Sequence, residues 1–165
     1  MSRSLAPVVV ADASPLIGLA KIGKLKLLEA LFQQLLIPGA VEGELCLDSG
    51  RPGARHLAEA KMAGWLVTKQ VFDVPKHLTF TVDQGEAEAI TLAIQESALL
   101  LIDESKGRLA ATSEGVRIFG TGAMLIRAKE RGLIDCVSEL LIELTEIGYH
   151  FSIALQQEIL KRAGE

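Results

Sequence analysis

The sequence predicts an α/β fold in which a mainly parallel central sheet is covered by helices on both faces. Three observations point to it. Short β-branched apolar runs alternate with amphipathic stretches of about ten residues, the pattern of successive βαβ units. Apolar residues fill 49% of the 165 positions but aromatics only 4%, so the interior is built from Leu, Ile, Val and Ala, as in a sheet buried on both sides. No internal repeat, low-complexity tract or polar linker divides the chain, so a single domain is expected over residues 1–165.

The elements follow in order. "APVVVA" (6–11) is a β-branched run of strand length. "KLKLLEALF" (24–32) sets Leu25, Leu28, Leu31 and Phe32 at helical spacing. "LLIPG" (35–39) is a short strand stopped by Pro38, and "AVEGELCL" (40–47) is a helix after it. "PGARHLAEAKMAG" (52–64) reads as a helix with Pro near its start and Gly64 at its end, followed by the strand "WLVTKQV" (65–71). "DQGEAEAITLA" (83–93) opens another helix, and "ALLLI" (98–102) is a strand. "SKGRLAATSEG" (105–115) is a helix ended by Gly115, "VRIFG" (116–120) a strand and "GAMLIRAKERG" (122–132) a helix. Two more helical patterns, broken near Gly148, form a C-terminal extension at about 135–165.

Composition narrows the function classes. The longest apolar runs are strand-length, far short of the roughly 20 residues that span a bilayer. The opening apolar stretch ends in Asp12 without a cleavage site, so it reads as a first strand and not as a signal peptide. Cys46 and Cys136 lie far apart, which fits a reducing cytoplasm, and His56, His77 and His150 are scattered, so a zinc site is not expected. The net charge of −4 argues against a broad nucleic-acid-coating surface but leaves room for a small basic groove. Lys21, Lys24, Lys106 and Arg108 are the candidates for it.

Two apolar strands end in acid. "VVVAD" closes on Asp12, and "LLLID" closes on Asp103 with Glu104 next to it. Each acid has a bland reading as a helix cap or turn former. Yet desolvation penalises a carboxylate at the tip of a buried strand, and in open parallel sheets the carboxyl ends of the strands are where sites form. In "DQGEAEA", Asp83 and Glu86 have the spacing of a capping box, and acids there also suit the helix dipole. Glu86 shares a stripe with Ile90 and Ala93 and faces the sheet; Glu88 aligns with Leu92 and Gln95 and is the more exposed. Glu44 lies among Val41, Leu45 and Leu47. Acids from four separate segments that converge raise one another's pKa values unless a cation neutralises them. Hard oxygen ligands in an open site favour Mg²⁺ or Mn²⁺, which can activate water for phosphodiester hydrolysis.

The pattern resembles the PIN domains, small metal-dependent ribonucleases, and more closely their branch of predicted nucleic-acid-binding proteins. The blocks that carry it are "VVVADASPLIGLAKIGKLKLLEALF", "IPGAVEGEL", "GEAEAITLA", "LLIDESKGRLAA", "GVRIFGTGAMLIRAKERGLI" and "ILKRAGE", in that order. The resemblance places the family's first acid on Asp12 with its hydroxyl partner on Ser14, and its second acid on Glu44. The third falls on the "GEAEA" helix, Glu86 being preferred to Glu88, and the fourth falls on Asp103 or Glu104. Asp12, Glu44, Glu86 and Asp103 are then the catalytic set, Asp12, Glu86, Asp103 and Glu104 the metal ligands, and Ser14 and Glu88 supporting residues. The resemblance further implies a three-layer α/β/α fold, Mg²⁺ or Mn²⁺, an RNA substrate, and often a toxin role with a cognate antitoxin and homodimerisation. Ala13 departs from the commoner Thr, and Glu86 from the commoner Asp.

Rival readings are weaker. "FGTGAML" has Leu125 at the third glycine position of a dinucleotide-binding loop, so its glycines read as a tight turn. A phosphatase with a strand-end nucleophile wants a second Asp two residues on, where Ser14 stands. A non-catalytic binding module with an impaired metal site is the strongest rival, set back by the filling of all four acid positions.

Overall fold

The structure is a computed structural model that describes residues 6–165. Among the described residues, five strands form one all-parallel sheet in the order β3-β2-β1-β4-β5. They are β1 (Val9–Ala11), β2 (Leu35–Pro38), β3 (Leu66–Lys69), β4 (Leu99–Leu101) and β5 (Ile118–Phe119). Helices α1 (Ala13–Lys21) and α2 (Lys26–Phe32) join β1 to β2, and α3 (Gly39–Leu45) and α4 (Ala54–Ala63) join β2 to β3. The return to β4 runs through α5 (Lys76–Thr81) and α6 (Gln84–Gln95), and α7 (Ser105–Ser113) leads to β5. Three more helices follow: α8 (Thr121–Glu130), α9 (Val137–Glu146) and α10 (Ile153–Arg162). The expected α/β architecture with a parallel sheet is the one found.

The central strands are apolar on both faces because both faces are covered. Val9, Val10, Leu100 and Leu101 are fully buried. From β1 the chain steps one way across the sheet to β2 and β3, then back the other way to β4 and β5. Right-handed crossovers put α1, α2 and α4 on one face and α6 and α7 on the other, while α3, directly after β2, packs against both α1 and α6. α6 packs on β1, β2 and β4; α8 packs against α2, with α9 and α10 laid on α8. The reversal of direction opens a crevice between β1 and β4 at their carboxyl ends, the usual place for a site in such a sheet.

Two helices depart from the sequence expectation. α1 lies in a segment with no predicted helix, because Pro15 and Gly18 disguise it. Pro15 stands in the first turn, where its missing N–H is not needed, and Gly18 is required by the Tyr149 ring, which a Cβ there would meet at 2.8 Å. α5 is a six-residue turn, "KHLTFT", with only Leu78 buried, so it has no apolar period to read. The strands are shorter than expected: Ala6, Pro7 and Val8 fall outside β1, Ala98 and Ile102 outside β4, Trp65, Gln70 and Val71 outside β3, and Val116, Arg117 and Gly120 outside β5. Among the described residues no helix is long and apolar enough to cross a membrane.

Candidate active site

Asp12 extends β1 by one residue, its N–H donating to Leu101 O of β4 at 3.0 Å. It occupies the N-cap position of α1, yet its side chain makes no cap hydrogen bond. The side chain is nonetheless buried, with 5% of the residue exposed. Burial pushes its carboxyl up to about 7; the Ala13 N–H opposes the rise, and the charges of Glu44, Asp83 and Asp103 add to it. The bland cap reading therefore fails at Asp12.

At the start of α6 the cap reading holds, and more besides. Asp83 Oδ1 accepts from the Glu86 N–H at 2.8 Å, and Glu86 Oε2 accepts from the Asp83 N–H at 3.2 Å, a complete capping box. Glu86 is also 6% exposed, on the buried side of its helix. Burial pushes its carboxyl up to about 7, with the Asp83 charge next in weight and those of Asp12 and Glu104 behind it. Glu44, half-exposed on the last turn of α3, is raised by burial and then by Asp83. Asp83, read from sequence as a cap alone, is thus the charge that most affects both neighbouring glutamates. Glycines make room for this crowding. A Cβ on Gly85 would overlap Glu44 Oε1 and stand 3.4 Å from Asp83 Oδ1, and one on Gly107 would stand 3.3 Å from Glu86 Oε1.

Asp103 follows β4, the strand paired directly with β1, so it shares the crevice with Asp12. Both its oxygens are engaged. Oδ1 accepts from the Thr121 N–H at 2.8 Å, and Oδ2 accepts from the Thr121 hydroxyl at 2.5 Å and from the Tyr149 hydroxyl. Sequence reasoning missed both donors. Thr121 carried a faint signal, as the first residue of a helix following a strand next to β4. Tyr149 carried none, being 46 residues away in a loop between helices. Glu104 is the N-cap of α7 and accepts from the Gly107 N–H at 3.0 Å.

The remaining candidates divide. Glu88 reaches sideways to accept from the Ala40 N–H at 3.2 Å and from Gln84 Nε2 at 3.0 Å, so its carboxylate is held by the first turn of α3. Ser14 is exposed in the first turn of α1. Arg108 Nη1 donates to Ile102 O at 2.8 Å, beside Asp103, and both side chains lie over Gly120. Lys106 is exposed on the first turn of α7. Lys21 ends α1 and Lys24 lies beyond it. Because α1 starts just after Asp12 and runs away from the strand ends, at about 1.5 Å per residue, it carries these two lysines about 13 Å or more from Asp12.

Asp12, Glu44, Asp83, Glu86, Asp103 and Glu104 therefore face one another across the carboxyl edge of the sheet. Among the described residues none of the six is in an ion pair. Nor do any three His, Cys, Asp or Glu of the described residues already form a metal-ligand group. Glu86, Asp103 and Glu104 are each turned to a donor of the protein itself.

A parallel α/β/α sheet with acids gathered over its β1–β4 crevice defines a class of site built for charge. The model of one family, described as PIN domain, matches residues 8–165, and the chain belongs to that family. PIN domains are commonly nucleases and typically use divalent metals. Among solved structures, a PilT N-terminus domain protein from the hyperthermophilic archaeon Sulfolobus solfataricus P2 is similar at 16% identity, with 88% of this chain and 99% of that chain covered and a TM-score of 0.47. A domain of a functionally unknown protein from Methanocaldococcus jannaschii DSM 2661 is similar at 19% identity over 70% of this chain and 91% of that one, with a TM-score of 0.45. The search among curated proteins returned no significant match.

Proposed function

We propose that this chain is an endoribonuclease that uses Mg²⁺ or Mn²⁺ to hydrolyse RNA phosphodiester bonds. The observation that carries the reading is Asp12, a buried carboxylate in a cap position it does not use, faced by three other acids. The donors fit the group: hard carboxylate oxygens, crowded enough to be pushed toward neutrality, with no cation paired to them among the described residues. Asp12, Glu86 and Asp103 would hold the ion, Asp103 through the Oδ1 position its own donors leave open, with Glu44 and Asp83 beside them. Glu104, already accepting from the Gly107 N–H, adds negative charge. A bound divalent ion supplies activation of water and stabilisation of the leaving oxygen.

The chain's own residues do the rest. Asp12 and Glu86, whose carboxyls burial pushes up, would release protons on holding an ion. Lys106 offers an exposed ammonium to a substrate phosphate at the mouth of the site. Phe80, 88% exposed and three residues before Asp83, offers a face on which an unpaired base can stack. Single-stranded RNA is the substrate that uses both. The toxin role, the antitoxin partner and the homodimer stand in this proposal on the family resemblance alone.

Cleavage of an unstructured RNA with added Mn²⁺, with and without chelator, tests the reading. Cleavage by the wild type in Mn²⁺, lost in chelator and lost in Asp12→Asn, is expected. Cleavage that persists in the variant or in chelator removes Asp12 from the mechanism. Metal-independent RNA binding with no cleavage favours the non-catalytic module.

A further inference from the structure

We propose that Tyr149 is a positioning residue of the site, and that through it the α9–α10 extension is part of the catalytic machinery. The inference rests on the metal-dependent reading above. Its basis is geometric. The Tyr149 hydroxyl donates to Asp103 Oδ2, which also accepts from the Thr121 hydroxyl at 2.5 Å, while the Thr121 N–H holds Oδ1 at 2.8 Å. A carboxylate offers about four acceptor positions, and three are filled by these donors. The one left belongs to Oδ1, and it is the only way Asp103 can take part in further chemistry without giving up a protein partner. Thr121 holds the carboxylate at both oxygens from the start of α8. Tyr149 adds a second donor on Oδ2 from the loop between α9 and α10, so the carboxylate is held between two elements.

The tyrosine is itself held from several directions. Its ring lies against Gly18 of α1, where any Cβ would come within 2.8 Å, and against Phe151 with centroids 5.2 Å apart. The extension that carries it is latched. Glu165 Oε2 accepts from the Val137 N–H at 2.7 Å and from Lys129 Nζ at 3.1 Å, and Oε1 accepts from the Ser138 N–H at 3.1 Å. Lys129 lies on α8, the helix that Thr121 begins. The contacts close a ring: Asp103 to Thr121, along α8 to Lys129, to Glu165 and the base of α9, along α9 to Tyr149, and back to Asp103. A tail that merely covered apolar surface would need no hydroxyl aimed at Asp103.

Partners of this kind, one step removed from the metal, typically change affinity or activity by roughly 10- to 100-fold when removed. Tyr149→Phe deletes the hydroxyl and keeps the ring. Calorimetric Mn²⁺ titration of the wild type and of Tyr149→Phe, well below the melting temperature of both, is the test, with kcat and KM for RNA cleavage beside it. Mn²⁺ affinity about 10-fold weaker in the variant, and kcat lowered with KM unchanged, is the expected result. Gly18→Ala, which displaces the ring but keeps the hydroxyl, should weaken Mn²⁺ binding in the same direction. Unchanged Mn²⁺ affinity in Tyr149→Phe overturns the proposal, whatever happens to the melting temperature. A wild type that binds no Mn²⁺ overturns the metal-dependent reading itself, and the role of Tyr149 with it.

Discussion

Asp12 sets the behaviour of the site at the scale of single residues. Burial pushes its carboxyl, and that of Glu86, up to about 7. Carboxylates whose pKa rises on folding bind more protons in the native than in the unfolded chain, so stability falls as pH climbs from about 4 to about 7. The metal-free protein should therefore melt at a higher temperature in mildly acidic buffer than at neutral pH, measured by calorimetry in chelator. Asp12→Asn is nearly isosteric and removes the buried charge. It should raise the metal-free melting temperature near neutral pH by several degrees, at about 2–4 °C per kcal/mol for a chain of this size. The same variant should lose Mn²⁺-dependent cleavage by orders of magnitude. A melting temperature unmoved by pH in the wild type would mean that the carboxylate is not desolvated as described. Asp12 and Glu86 were legible in the sequence as buried acids because an acid that ends an apolar run, or sits on an apolar stripe, is carried into the interior; Asp103 ends a run too but stays partly exposed. Asp83 was half-read, since its local cap role hides its part in a cluster. Tyr149 could not be read, because a contact across 46 residues leaves no mark on the spacing.

Among the elements, the start of α6 holds cap and cluster together. Gly85 lies there in the first turn, and a Cβ on it would overlap Glu44 Oε1, the far end of a flexible side chain. Gly85→Ala should leave the fold as stable or gain up to about 1 kcal/mol of helix propensity, because the glutamate can swing away. Swinging away removes Glu44 from the cluster, so Mn²⁺-dependent cleavage should fall about 10-fold while the melting temperature holds or rises. A loss of stability with activity intact would show that Glu44 packs and does not act. α6 itself was plain from its capping box and apolar stripe, and the central strands from their β-branched runs. α1 was not, because Pro15 in its first turn and Gly18 in its middle read as breakers, and the reason for Gly18, the Tyr149 ring, lies elsewhere in the fold. α5 was not, because one buried leucine makes no pattern.

For the whole molecule, the latch at Glu165 couples the extension to the rest. Its carboxyl is held down to about 2, chiefly by the Val137 N–H. A depressed carboxyl stabilises above its unfolded pKa and loses that contribution as pH falls toward the folded value. Glu165→Gln at neutral pH should cost about 1 kcal/mol, as for a lost helix cap, and lower the melting temperature by a few degrees. The charge of the molecule sets its grip on RNA. With a net charge of −4, and with Lys21 and Lys24 at the far end of α1, few phosphates are neutralised. On single strands each contributes roughly −0.7 to the log–log salt slope, so binding by the metal-free protein should give a slope no steeper than about −2. A much steeper slope would reveal a basic surface elsewhere. The central claim, that the acids over the β1–β4 crevice form a divalent-metal site, is tested most directly by calorimetric Mn²⁺ titration of the wild type and Asp12→Asn near neutral pH, repeated in two buffers of different ionisation enthalpy. The account predicts saturable binding by the wild type with proton release from Asp12 and Glu86, and neither in the variant. Binding of equal strength in both proteins, or in neither, would contradict it.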